Sequence, residues 1–347
     1  MDFRVGEAEP DDPTGDLAYN AEMRWEAMAG RGYLTPVGSF FVRNHAPTPT
    51  IDTAGWALRV EGSGVERPLE LSYEELSDMP QVSLVRALEC AGNGRSFFAG
   101  MQGRQPEGTP WRLGAVGVAE WTGVPLREVL ERAGLKASAR SVMLESLDAV
   151  RMRRPLPVEK ALAEDTLLAF GMNGGLLTPD HGFPLRAVVS GWAAVASVKW
   201  LGRLYVAEEP LYSPWNTDRY VLTGGELGAY RKIIEERGVK SALELPWPAR
   251  LPRGRHVLYG RSWSGHGAIS GVEYSVDGAP WRGATLFGEN VPAAWARWSF
   301  EWDARAGEHE VRVRATDEAG NVQPDEVGWN DLGYLYDGVV GHPIEVS

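Results

Sequence analysis

The 347-residue chain contains a single cysteine, Cys90. One thiol closes no internal disulfide and leaves the redox compartment undecided. It also excludes thiolate-rich zinc sites and an all-cysteine iron–sulfur cluster held by one chain. Cationic excess is missing too: 35 Lys and Arg face 47 Asp and Glu, a net charge of −12. That balance excludes an extended nucleic-acid footprint and tolerates a basic protein partner. Nor is there a long apolar run. The stretch from Ala187 to Val198 is interrupted by Ser190 and Gly191 and is too short to span a bilayer. The opening residues, Met1-Asp-Phe-Arg-Val-Gly-Glu-Ala-Glu-Pro10, carry no basic region, apolar segment or twin arginine. They predict a cytoplasmic protein, or a periplasmic one if a signal has been removed.

What is present is globular usage, with 44% hydrophobic and 24% charged residues. The length predicts two domains. Fourteen Trp supply large aromatic plates for a core, an interface or the walls around a flat ligand.

Residues 1–37 are polar, acidic and rich in Gly and Pro, and read as an N-terminal extension with one short helix around Ala21–Ala29. Residues 38–244 alternate strand and helix signals. Trp56–Val60 reads as a strand, and Ser72 with Glu75 forms a capping box before Pro80. Val82–Glu89 is an extended run leading into Cys90. Pro125 and Gly134 bracket a helix over Leu126–Ala133. Ser141–Leu147, Leu185–Val189 and Ser197–Val206 read as strands, and Glu226–Arg237 as an amphipathic helix. A proline-rich join, Leu245-Pro-Trp-Pro-Ala-Arg-Leu-Pro252, marks a change of character. Residues 245–347 then carry short alternating strands with turn signals such as Asp277-Gly278, the pattern of an immunoglobulin-like sandwich. The fold class is therefore α+β followed by a β-sandwich.

Cys90 lies in Ala87-Leu-Glu-Cys-Ala-Gly-Asn-Gly-Arg95. A strand ending in a glycine-containing turn presents its last side chain at a sheet edge and lets a ligand approach the backbone. Thiolate is a soft, strongly donating ligand, and Arg95 favours the thiolate form. Two further segments suit an oxyanion. Phe40-Phe-Val-Arg-Asn-His45 puts Arg43 and His45 two apart, on one face of an extended chain. Asp180-His-Gly-Phe-Pro-Leu-Arg186 adds His181 and Arg186, with Lys199 following in Ser197-Val-Lys-Trp-Leu201 at the start of the next strand.

Taken together, Phe-Val-Arg-Asn-His, Cys-Ala-Gly-Asn, Asp-His-Gly-Phe-Pro and Val-Lys-Trp-Leu resemble the sulfite oxidase family of molybdopterin enzymes. Gly260-Arg-Ser-Trp-Ser-Gly265, Tyr274-Ser-Val-Asp-Gly278 and Asn321-Val-Gln-Pro-Asp325 resemble its C-terminal dimerisation domain. The resemblance runs from about residue 38 to 347. It implies a mixed α/β molybdopterin-binding domain, an immunoglobulin-like dimerisation domain and a homodimer. It also implies a molybdenum cofactor with Cys90 as the protein's metal ligand. Arg43, Asn44, His45 and Asp148 are implied to hold the pterin and its phosphate, with His181, Arg186, Ser197 and Lys199. The substrate pocket of the family, carried onto this sequence, comprises Arg43, Arg95, Tyr220 and Trp111. The implied activity is oxo transfer to sulfite or a related sulfur compound, the redox chemistry belonging to the cofactor.

Two departures bear on substrate. The family places an arginine after Trp-Ser-Gly-x-Gly that reaches into the pocket, and here that position is Ala268. Losing a desolvated charge partner costs roughly 2–5 kcal/mol. His266 is a candidate substitute. The second departure is Gly94, where sulfite oxidases carry a second arginine; Cys-Ala-Gly-Asn-Gly-Arg is closer to the sulfane-dehydrogenase branch. No cytochrome b5-like, flavin or Cys-x-x-Cys-His segment occurs, so electrons are expected to pass to a separate acceptor such as a cytochrome. Three readings follow: sulfite oxidation, the same cofactor acting on sulfane sulfur or an S-oxide, and a binding scaffold without chemistry.

Overall fold

A computed structural model describes residues 18–347. The first part of the expected N-terminal extension, residues 1–17, lies outside the described residues. In the remainder of that extension the expected helix is replaced by the short strand Asn20–Ala21, paired with Val42–Arg43, and the 3-10 turn Trp25–Met28. It packs between the two halves of the molecule: Trp25 stacks on Trp263 with ring centroids 5.7 Å apart. Arg261 donates to the carbonyls of Tyr33 and Gly32 at 2.9 and 3.0 Å.

Strand β1 (Ala57–Glu61) pairs antiparallel with β2 (Leu69–Ser72). Ser72 then caps helix α1 (Tyr73–Ser77), its hydroxyl accepting from Glu75 N and the Glu75 carboxylate accepting from Ser72 N. β3 (Val82–Glu89) delivers Cys90, and helix α2 (Phe97–Gln102) follows. Next come β4 (Val116–Pro125), helix α3 (Leu126–Arg132), β5 (Ser141–Ser146) and β6 (Arg153–Pro157). β7 (Thr166–Met172) turns at Asn173-Gly174, both at positive φ, into the short β8 (Gly175–Leu176). β9 (Arg186–Val189) and β10 (Leu201–Ala207) complete this part.

These strands make two five-stranded sheets: β2-β1-β10-β5-β6, and β8-β7-β4-β3 with β9 on β7. β7 is buried along its whole length because both faces are covered. Leu168 and Phe170 point into the main core with Leu58, Val142 and Leu204. Leu167 and Ala169 point the other way, into the cluster that contains Cys90.

Two expectations fail here. Ser197–Trp200 is a turn, and the strand begins only at Leu201. Trp200 sits at φ +52°, the Ser197 hydroxyl accepts from Val189 N, and the Trp200 indole donates to Pro179 O. Side-chain bonds thus replace ladder bonds and swing Lys199 inward. Residues 226–237 form no helix. A 3-10 turn, Gly225–Leu227, leads to the short strand Lys232–Ile233, paired with Val221–Leu222. Gly224, Gly225 and Gly228 all have positive φ, which no helix accommodates.

The C-terminal part is a sandwich. β11 (Lys240–Leu243) precedes the proline-rich join yet already belongs to it. β12 (Ala249–Leu251), β13 (Gly254–Trp263), β14 (Ile269–Val276) and β15 (Arg282–Gly283) follow. β16 (Thr285–Asn290), β17 (Trp295–Ala304), β18 (Gly307–Asp317) and β19 (Gly341–Val346) complete it. The sheets run β11-β13-β17-β16 and β12-β19-β18-β14-β15. Leu258, Trp298 and Phe300 from one sheet meet Val272, Val311 and Ile344 from the other. No helix among the described residues is long and apolar enough to cross a membrane.

Candidate active site

Cys90 follows the last residue of β3 and opens a tight turn in which Asn93 N donates to Cys90 O and Arg95 N to Gly92 O, both at 2.9 Å. Its own amide donates to Ala115 O at 2.9 Å. Gly94 is fixed by two constraints. Its φ is +95°, and a Cβ there would lie 2.9 Å from Cβ of Tyr336.

The Cys90 side chain faces an inner cavity of about 70 Å³. Arg43, Asn44, His45, Asp148, His181, Arg186, Ser197, Lys199 and Tyr220 line it as well. Arg43 Nη2 meets His45 Nδ1 at 3.1 Å, and His45 Nε2 meets the Tyr220 hydroxyl at 2.7 Å. Arg186 donates to the carbonyls of His181 and Ser197 at 3.0 and 3.1 Å, with its guanidinium over the Trp121 ring. Lys199 donates to Asp180 O at 2.8 Å and bonds the Asn44 side-chain oxygen. Asp148 accepts from the Ser146 hydroxyl and from Met152 N.

Burial governs the electrostatics of this wall. It pushes His181 down to about 4, with Arg186 adding repulsion. His181 is therefore neutral at neutral pH, and Nε2, 3.2 Å from Val37 O, carries the hydrogen. Burial lowers Arg186 to about 9 and holds Lys199 well below its usual value, Arg186 adding to the latter effect. Asp180 and Asp148 attract Lys199, but burial outweighs them.

A second, wider cavity shares Arg43, His45, Cys90 and Tyr220 with the first and opens to solvent. Arg95 lines it, anchored by Nε to Leu332 O at 3.1 Å and by Nη1 to Thr109 O at 2.8 Å. Two residues unnoticed in the sequence join here. Arg219 lies with its guanidinium over the Trp215 ring. Tyr334 stacks on Tyr220 at 5.1 Å and lies under the Arg95 guanidinium at 5.0 Å. Arg219 is adjacent to Tyr220 and was within reach of motif reading. Tyr334 comes from the tail after β18 and carries no local signal.

Trp111 lines neither cavity. It packs in the Cys90 cluster beside Phe40 and Phe41, with its indole N–H buried and unpartnered among the described residues. His266 does not substitute for a cation at position 268. It pairs with Glu236 at 3.4 Å in a cleft that shares no residue with the Cys90 cavities. Ala268 is buried and lines neither cavity; its carbonyl accepts from Glu318 N at 2.9 Å.

Arg186, buried, and Lys199, half-buried, thus hydrogen-bond only neutral oxygens and make no ion pair among the described residues. A buried charge without a counter-charge is costly. A ligand anion between them removes that cost, so the donor set fits a phosphate-bearing cofactor. No group of three or more His, Cys, Asp or Glu among the described residues is placed to hold a metal by itself. A metal at Cys90 would need most of its ligands from the cofactor, as a pterin dithiolene provides.

Comparison with known proteins agrees. Residues 45–215 match the oxidoreductase molybdopterin binding domain, and residues 231–339 the Mo-co oxidoreductase dimerisation domain. The sulfite oxidase of Gallus gallus is 39% identical over 343 residues, which cover 91% of this chain and 74% of that protein. The mitochondrial sulfite oxidase of Homo sapiens is 35% identical, with 91% of this chain and 62% of that protein covered. The sulfane dehydrogenase SoxCD from Paracoccus pantotrophus superposes with a TM-score of 0.85 at 31% identity, covering 95% of this chain and 87% of that one.

Proposed function

The chain belongs to the sulfite oxidase family of molybdopterin oxidoreductases, and from that premise we propose that it oxidises sulfite or a related sulfur compound at a molybdenum centre ligated by Cys90. The observation that carries this reading is the gathering of Arg43, Arg95 and Arg219 with Tyr220 around the cavity that opens on Cys90. In a chain of net charge −12, such a cluster is a local reversal of sign suited to a small oxyanion.

In this reading Arg186 and Lys199 would neutralise the cofactor phosphate, while Asn44, His45, Asp148, His181 and Ser197, which line the same cavity, would orient the pterin. When bound, the cofactor supplies the two-electron oxo-transfer couple. Arg43 donates to His45 Nδ1, so His45 Nε2 carries the hydrogen and donates to the Tyr220 oxygen. That polarity turns the Tyr220 O–H toward service as a donor to a bound oxyanion. Arg95 is braced by two carbonyls and holds its charge at the mouth. Trp111 shares the apolar cluster of Cys90 and lines neither cavity, so no role toward substrate is assigned to it.

A second reading, sulfane sulfur or an S-oxide as substrate, is favoured by the wide outer cavity and the alanine at position 268. The second domain contributes Leu332 and Tyr334 to that cavity and no cation. Steady-state turnover with ferricyanide as acceptor separates the two. Sulfite turnover at millimolar concentration supports the first reading. Turnover only with a sulfane donor, and none with sulfite, replaces it with the second. Electrons then leave to a separate acceptor such as a cytochrome. The protein works as a homodimer through its sandwich, and a monomer by light scattering at micromolar concentration would contradict that.

A further inference from the structure

Glu89 immediately precedes Cys90 and is 2% exposed. Both carboxylate oxygens are held. Oε1 meets Lys240 Nζ at 2.8 Å and accepts from Asn93 Nδ2 at 2.9 Å; Oε2 accepts from the Trp263 indole N–H at 2.9 Å. Lys240 also donates to Asn93 O at 2.9 Å. Asn93 Oδ1 in turn accepts from Ala115 N, and Ala115 O accepts from Cys90 N. The Cys90 turn is therefore clamped at both ends, and two of the clamping side chains belong to the sandwich. Lys240 and Trp263 are direct partners across the β11–β13 ladder.

A buried ion pair is a poor source of stability, since desolvation offsets much of the attraction. What it does supply is geometry, because every donor and acceptor here has one satisfied arrangement. We infer that Lys240 and Trp263 are positioning residues: through Glu89 they let the sandwich set the orientation and reactivity of the Cys90 thiol. As a statement about a metal ligand, this rests on the proposed function; as a statement about the thiol, it does not.

The test exploits the single cysteine. In metal-free protein, alkylation by iodoacetamide reads Cys90 alone. The double variant Glu89→Gln/Lys240→Met removes both charges of the pair, and with them the attraction of Glu89 for buried Arg237 and of Lys240 for Asp337. It is expected to keep the far-ultraviolet spectrum and a cooperative melt, while changing the alkylation rate by about fivefold or more. In cofactor-loaded protein, the thiolate-to-metal absorption should shift as well. An unchanged alkylation rate in the folded double variant overturns the inference and leaves the pair as a brace between domains. If that variant does not fold, Trp263→Phe carries the same test: it removes the N–H that Glu89 accepts from and keeps an aromatic ring against Trp25, at the cost of a small cavity. Lack of molybdenum in the wild type would overturn the metal reading and leave the alkylation result standing.

Discussion

The hydroxyl of Tyr220 sits 2.7 Å from Nε2 of His45, joining two residues 175 positions apart at the boundary between the inner and outer cavities. Tyr220→Phe should leave folding intact and lower kcat/KM for the true substrate by about 10²-fold, the scale for removing one oriented donor. Steady-state kinetics checks it, and unchanged kinetics would take Tyr220 out of the reaction.

Arg219 is half-buried and held against Trp215. Arg219→Gln should raise KM for an anionic substrate by about tenfold, with little effect on kcat, as expected for a charge-assisted contact in a partly wet site. The KM of the wild type should also rise with added salt more steeply than that of the variant. Equal salt dependence would place Arg219 outside substrate binding.

Cys90→Ser should abolish turnover and the thiolate-to-metal absorption while moving the thermal midpoint by only a few degrees, since a hydroxyl occupies nearly the same volume. Full activity in that variant would mean that Cys90 is not the metal ligand.

His342 is held down to about 4 by burial, with its Nε2 2.8 Å from Pro246 O. Its folded pKa lies below the ordinary 6.5, so the unfolded chain binds the proton more readily. The stability it confers is complete above pH 6.5, falls as the pH drops toward 4, and is lost below that. Melting curves should show this loss, and His342→Gln should flatten part of it. His181, shifted the same way, adds to it.

Much of the site was legible from residue types alone. Cys90, Arg43, His45, His181 and Arg186 sit in short motifs whose spacing encodes a local turn or strand, and the fold keeps them together. Lys199 is legible as a residue but its turn is not, because Ser197–Val206 is rich in Val, Leu and Trp and reads as strand. The side-chain bonds from Val189 and to Pro179 that bend it are tertiary. Hydrophobic spacing predicts a helix at 226–237, but it carries no sign of the positive φ at Gly228 within that span and at Gly224 and Gly225 before it. Tyr334 was invisible: its place depends on a chain path that returns from the far end of the sandwich. His266 looked suitable by sequence distance, whereas its strand connection carries it into another cleft.

The contact between Gly94 and Tyr336 has a consequence for how this pocket can change. A side chain at position 94 collides with the tail while Tyr336 occupies its place. The same tail delivers Tyr334 and the Leu332 carbonyl that anchors Arg95. Loop and tail therefore form one exchangeable cassette. An arginine grafted at position 94 alone should give a strained protein, whereas transplanting residues 90–95 together with 330–337 moves substrate preference as a unit.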